Sequence, residues 1–117
     1  YTYNAGTPLQ AAVMLYEITG QRRYLRKAQT IAAAAHKIFF KNGTWGAHYW
    51  FNAVLLRGYQ RLYQHDKNPL YLNAFVADAE RIWQTEKNAQ GLVGTRVKKE
   101  LLDQAALLEQ MARLLQW

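Results

Sequence analysis

Apolar positions recur every three or four residues along most of the chain, the period of a helix packed on one side, and no stretch alternates with the two-residue period of a strand. Five helices are predicted. The first runs from Pro8 to Thr19: Thr7 supplies a capping hydroxyl, Pro8 sits where no N–H donor is needed, Gln10 completes a capping box, and Gly20 stops the helix. Its nearly all-apolar run from Ala11 to Tyr16 predicts burial on most sides. The second helix, Arg22 to Phe39, is amphipathic, with Tyr24, Leu25, Ala28, Ile31, Ala32, Ala35 and Phe39 on one stripe. The third, Phe51 to Gln64, and the fifth, Lys98 to Leu115, are apolar on most faces. The fourth begins at Pro69, extends to about Glu86 and carries Leu70, Tyr71, Ala74, Phe75, Ile82 and Trp83 on its stripe.

These helices repeat in pairs. Tyr16 and Tyr63 stand 47 residues apart (63 − 16), as do Tyr24 and Tyr71 (71 − 24), and twice that interval carries Gln10-Ala11-Ala12 onto Gln104-Ala105-Ala106. The unit is a helical hairpin, present two and a half times. The first, third and fifth helices are expected to form an inner, fully buried layer and the second and fourth an outer, half-wet one. Parallel inner helices bring their starting ends together, along with the loops before them. Those loops hold Tyr1, Tyr3 and Asn4, then Trp45, His48, Tyr49 and Trp50, then Arg96 and Lys98. The tight turns at Gly20 and at 66–68 fall at the opposite end. Function concentrates on the longer loops of a rigid scaffold, so the aromatic end is the candidate binding face. Gln10, Arg57 and Gln104 are equivalent under the repeat and polar within otherwise apolar helices. They form either a polar floor beneath those loops or bonds to neighbouring loop backbone.

A chain of 117 residues, 50% hydrophobic, supports one core, so residues 1–117 are taken as a single segment. It opens at a helix cap with Tyr1 and closes on Trp117 at the end of an apolar helix, which leads us to expect a piece of something longer. Without cysteine there is neither a disulfide nor a thiolate metal site. His36, His48 and His65 have no ligand-like spacing, so no metal site is expected, and no phosphate-cradling glycine loop or nucleophile elbow points to a cofactor. No apolar run approaches the roughly 18 residues of a membrane span. The net charge of +7 permits attraction to polyanions, yet much of it comes from Arg22, Arg23, Arg26 and Lys27, interleaved with Tyr24, Leu25 and Ala28. That is the pattern of a solvated helix face, and no nucleic-acid partner is expected. Asn42-Gly43-Thr44 fits a glycosylation acceptor, as do many polar loops.

Aromatic rings beside amides and cations suit a carbohydrate, whose C–H faces lie on rings while its hydroxyls bond to polar side chains; alternatively Trp45, Tyr49 and Trp50 plug the top of the core. A glycosidase ordinarily needs two carboxyl groups across the scissile bond. Asp66 falls at the wrong end, Asp78, Glu80 and Glu86 belong to the outer layer, and Glu100 and Asp103 are acids of a helix's first turn. No acid/base pair emerges.

The phrase Tyr1-Thr2-Tyr3-Asn4-Ala5-Gly6 ahead of an apolar helix, then Leu15-Tyr16-Glu17-Ile18-Thr19-Gly20, Tyr24-Leu25 and Leu102-Asp103-Gln104-Ala105-Ala106, resembles glycoside hydrolase family 76. The resemblance implies an all-α (α/α)6 toroid, here its C-terminal half, and an endo-acting, retaining α-1,6-mannanase active on α-mannan. It also implies an extracellular or cell-envelope setting and dependence on the N-terminal half of the same protein. Ala5 stands where the family usually has Gln. The family's catalytic Asp-Asp pair lies upstream of the opening phrase, and none occurs here, so no catalytic residue is assigned to this chain. It is instead a cleft wall, with Tyr1, Tyr3 and Asn4 as implied substrate contacts. Trp45, His48, Trp50, Gln10, Arg57 and Gln104 are added from their placement. The alternative is a helical-repeat scaffold of the armadillo or HEAT kind, binding a protein or acidic partner through a basic concave side.

Overall fold

The computed structural model describes residues 1–46, 48–86 and 101–116, apart from the side chains of Tyr3, Leu101 and Leu102. Its helices are α1 (Tyr3–Thr19), α2 (Arg22–Phe39), α3 (Tyr49–Asp66), α4 (Leu70–Thr85) and α5 (Leu101–Leu115). Among the described residues an isolated bridge between Lys41 and Thr44 is the extent of β structure. The expected start of the last helix at Lys98 lies outside the described residues, as do Arg96 and the loop before it.

Helix α1 starts five residues earlier than Thr7 and Pro8 suggest. Thr2 is the N-cap, in helical conformation itself, and its hydroxyl does not cap the helix but donates to Asn52 Oδ1 at 2.8 Å. Pro8 lies inside the helix. The reason is tertiary. Gly6 meets α3 so closely that a Cβ there would stand 2.8 Å from the Leu55 amide nitrogen. Packing and the buried Thr2–Asn52 bond outweigh the backbone hydrogen bond that Pro8 cannot make.

Helix α3 packs between α1 and α5, while α2 lies on α1 and α4 lies against α5 and α3. The layers are those expected from the 47-residue repeat. Thr2 bonds to Asn52 near the starts of α1 and α3, and Glu17 bonds to Arg61 near their ends, so the two helices run parallel. The hairpins close tightly. Gly20 and Lys67 take left-handed conformations and donate to the carbonyls of Tyr16 and Tyr63. Asp66 and Asn68 side chains then accept the N–H groups of Asn68 and Leu70.

Leu9 and Val13 of α1, the Ala28–Ala32–Ala35 stripe of α2, Leu55, Leu56, Tyr59 and Leu62 of α3, and Leu72 and Phe75 of α4 form the main core. The small alanines let Tyr59 reach the Ala32 carbonyl at 2.9 Å, and burial pushes the Tyr59 hydroxyl pKa far above its usual value. A second cluster joins Tyr49, Ile82, Ala106 and Leu107. The expectation of a fully buried inner layer, with α1 buried on most sides, is corrected: Met14 and Leu15 are exposed, Ile18 is 78% exposed, and Leu108 and Leu115 of α5 are exposed too. The helix has neighbours on one side, α2 and α3, and its opposite apolar face is bare.

Candidate functional site

At the shared starting end of α1 and α3, Tyr1 sets its ring 4.9 Å from His48 and 4.9 Å from Phe51, and His48 stacks on Phe51 at 5.7 Å. Tyr1 is 60% exposed, and Asn4 and His48 are exposed beside it. A cleft of about 180 Å³ opens between Tyr1, Thr2, Phe39, Trp45, His48 and Asn52. Asn52 is buried and ties this end together, accepting from Thr2 and donating to the Gly46 carbonyl at 3.0 Å. Nothing in its sequence neighbourhood marks Asn52 out except a polar residue within an apolar run.

Trp45 does not present its ring as an open platform. It is 4% exposed, stacked on Phe75 at 4.6 Å and tilted against Phe40 at 4.9 Å, so it fills the core and only borders the cleft. Its indole N–H is buried without a hydrogen-bond partner among the described residues. Trp50, by contrast, is 41% exposed, and the Arg57 guanidinium lies 5.6 Å from its ring centre. Seven residues apart on α3, the two share a face.

The loop before α3 is held by outer-layer residues that the sequence pattern did not single out. Asp78 Oδ2 accepts the Trp45 amide N–H at 2.9 Å and the Thr44 hydroxyl at 3.2 Å. Arg81 bridges Asp78 at 3.0 Å and Glu86 at 2.6 Å, and Glu86 accepts the Tyr49 hydroxyl at 2.7 Å. Burial disfavours the Arg81 charge, but bonds to Glu86 and Asp78 more than offset it and hold its pKa above the usual value.

Below the rings, on the face of α1, α3 and α5 that the outer layer leaves open, lies a polar cleft of about 300 Å³. Gln10, Glu17, Arg57, Gln60, Arg61, Gln64 and Arg113 line it. Glu109 takes a two-pronged contact from Arg57 at 2.7 and 2.8 Å and a third from Arg113 at 2.9 Å. Arg57, and secondarily Arg113, hold the Glu109 carboxyl at a pKa of about 2. Glu17 is likewise lowered, first by Arg61 at 2.7 Å and then by His65. Gln10 donates to the Val54 carbonyl at 3.3 Å. Of the three positions related by the repeat, Gln10 and Arg57 meet at this cleft, whereas Gln104 is half-buried and not among its lining. The Tyr3 side chain, Arg96 and Lys98 lie outside the described residues.

A general acid works with a pKa near the operating pH. Glu17 and Glu109 are displaced the wrong way, and Asp78 and Glu86 are buried against Arg81. Held by arginines, these four carboxylates are poorly placed to transfer a proton. Among the described residues no group of side chains could hold a metal, and no helix is long and apolar enough to cross a membrane.

Residues 1–116 match glycosyl hydrolase family 76. The chain belongs to that family. Its helices superpose on a family 76 mannosidase from Bacteroides thetaiotaomicron VPI-5482 with a TM-score of 0.84 and 29% identity, over 99% of this chain and 37% of that one. A family 76 glycoside hydrolase from a bovine Bacteroides thetaiotaomicron strain matches with a TM-score of 0.84 and 33% identity, over 100% of this chain and 29% of that one. The family 76 chain thus spans about a third of the length of these solved relatives. No curated protein matches it. The five helices among the described residues belong to hairpins of the (α/α)6 toroid, and the armadillo- or HEAT-like alternative gives way to that match.

Proposed function

We propose that this family 76 chain forms one wall of the substrate cleft in a glycosidase that hydrolyses α-mannan. The observation that carries the reading is the ring group at the common start of α1 and α3, exposed Tyr1 and His48 against half-buried Phe51, with Trp50 beside Arg57. One solved relative of the same family is titled a mannosidase. A mannose ring stacks on Trp50 or Tyr1 through its C–H face, and Asn4 and His48 take its hydroxyls. Tyr3 is the further contact implied by the family phrase. Trp45 shapes the cleft from within, and Gln10 and Arg57 belong to the polar floor, whereas Gln104 stands outside its lining.

Retaining hydrolysis uses a nucleophilic carboxylate and an acid/base carboxyl roughly 5 Å apart on either side of the scissile bond. The carboxylates described above are held by arginines, so the reacting pair comes from an N-terminal half carrying the family's Asp-Asp. This wall binds and orients. Its setting is extracellular or at the cell envelope, where a mannan polymer is reached.

The test compares the whole protein with residues 1–117 alone on α-1,6-mannan. The whole protein should cleave it and the isolated chain should not. Trp50→Ala and His48→Ala in the whole protein should raise KM about tenfold, roughly 1.4 kcal/mol of lost binding, with a smaller effect on kcat. A whole protein inert toward α-1,6-mannan, or unchanged KM in both variants, refutes the reading.

A further inference from the structure

Helix α2 carries Arg22, Arg23, Arg26, Lys27 and Lys37 and no carboxylate along its 18 residues. Those five positive charges compare with a net +7 for the entire chain. All five are exposed, while Leu25, Ala28, Ala32 and Ala35 on the other side enter the core. At 3.6 residues per turn the cations fall within an arc of about 140°, opposite the alanine stripe.

Helix stability does not account for this arrangement. Arg22 with Arg26 and Arg23 with Lys27 are like-charge pairs four residues apart, which destabilise a helix. Four of the five cations crowd the first half of α2, where the backbone dipole favours acids. Nor, among the described residues, do neighbouring carboxylates neutralise them. Glu17 pairs with Arg61, Asp78 and Glu86 with Arg81, and Glu109 with Arg57 and Arg113. Asp66, which does bond to α2, accepts from Gln29 rather than from a cation. The other described carboxylates, Glu80 and Asp103, stand on α4 and α5. Arg23 is already oriented, its guanidinium 4.7 Å from the Tyr24 ring centre and bonded to the Tyr24 hydroxyl at 2.9 Å.

We propose that the outer face of α2 is a docking surface for a phosphate-bearing polysaccharide, separate from the cleft. A helical rise of about 1.5 Å per residue places Arg22 and Arg26 about 6 Å apart and Lys37 about 22 Å from Arg22. That is a row suited to an extended polyanion rather than to a single small ion. Arginine forks match phosphate oxygens in two-pronged contacts. The dense end of the row follows the Gly20 turn, at the opposite end of the hairpin from Tyr1 and His48. A polymer held there leaves the cleft unobstructed and keeps the protein on its target. The choice of a glycan over other polyanions rests on the hydrolase reading above.

The test uses the whole protein and the variant Arg22→Gln/Arg23→Gln/Arg26→Gln/Lys27→Gln, with folding checked by circular dichroism. Binding is measured to a phosphorylated mannan and to the same mannan after phosphatase treatment. At ~50 mM salt the unaltered protein should bind the phosphorylated polymer at least about tenfold more tightly, and ~0.5 M salt should erase the difference. The variant should lose that preference while cleaving a short neutral α-mannoside at the unaltered rate. A variant that keeps the preference overturns the proposal, as does an unaltered protein that favours duplex DNA or anionic lipid vesicles over the phosphorylated polymer at matched charge. If neither protein cleaves the neutral mannoside, the cleft reading fails, and the binding comparison still reports separately on α2.

Discussion

At Asp78 a single buried carboxylate connects two parts of the chain that are far apart in sequence. It is 3% exposed and accepts from the Trp45 amide, the Thr44 hydroxyl and Arg81. A carboxylate can accept all three bonds, whereas an amide must turn one of its own donors toward them. Asp78→Asn should therefore cost about 2 kcal/mol, read from chemical unfolding. Hydrogen exchange should show the Trp45 amide losing protection while the middle of α1 keeps its own. Unchanged protection at Trp45 would mean that the loop is anchored by something else. Little of this was legible beforehand. The Asp78–Arg81 spacing reports a pair along one helix, but periodicity cannot tell which distant loop such a pair meets. Trp45 shows the same limit from the other side. Its ring type fits both a sugar platform and a core plug, and burial decides for the plug.

Among the elements, α2 was legible to the residue because its apolar stripe and the stop at Gly20 agree. The start of α1 was not, because Thr7-Pro8 is a strong local signal that a remote contact overrides. Gly6 holds the extra turn against α3, and no local pattern encodes that approach. Helix α5 is tied to α3 by Glu109 and its two arginines, and this tie has a pH signature. The Glu109 pKa falls from an ordinary 4.5 to about 2 on folding. Its stabilisation is thus complete above about pH 4.5 and is lost as pH falls toward about 2. Unfolding midpoints of the unaltered chain should drop across that window, and Glu109→Gln should flatten the slope. Parallel curves for the two proteins would show that the tie contributes nothing measurable.

On the scale of the whole molecule, the 47-residue repeat disclosed the layers, but not which faces lie open. An apolar helix reads as buried only if neighbours flank it on both sides, and α1 has them on one. Besides Met14, Leu15 and Ile18, exposed Leu108 and Leu115 on α5 leave apolar surface at the far edge of the row. A groove lined by Val76, Ala79, Trp83, Met111, Leu114 and Leu115 runs beside it. Residues 1–117 expressed alone should self-associate, with sedimentation coefficients that rise with concentration, and Ile18→Glu with Leu115→Glu should weaken that association. A single concentration-independent monomer would argue that these faces are indifferent to water. The hairpins also have unequal poles. Gly20 and Lys67 turn the chain within two or three residues in left-handed geometry, with no slack for added length. The longer connection from 40 to 48 spans the other pole, anchored through Thr44, Trp45 and Gly46. Added length should therefore be tolerated at that pole and not at the tight turns, so what its loops touch can change without disturbing the seam that aligns the helices.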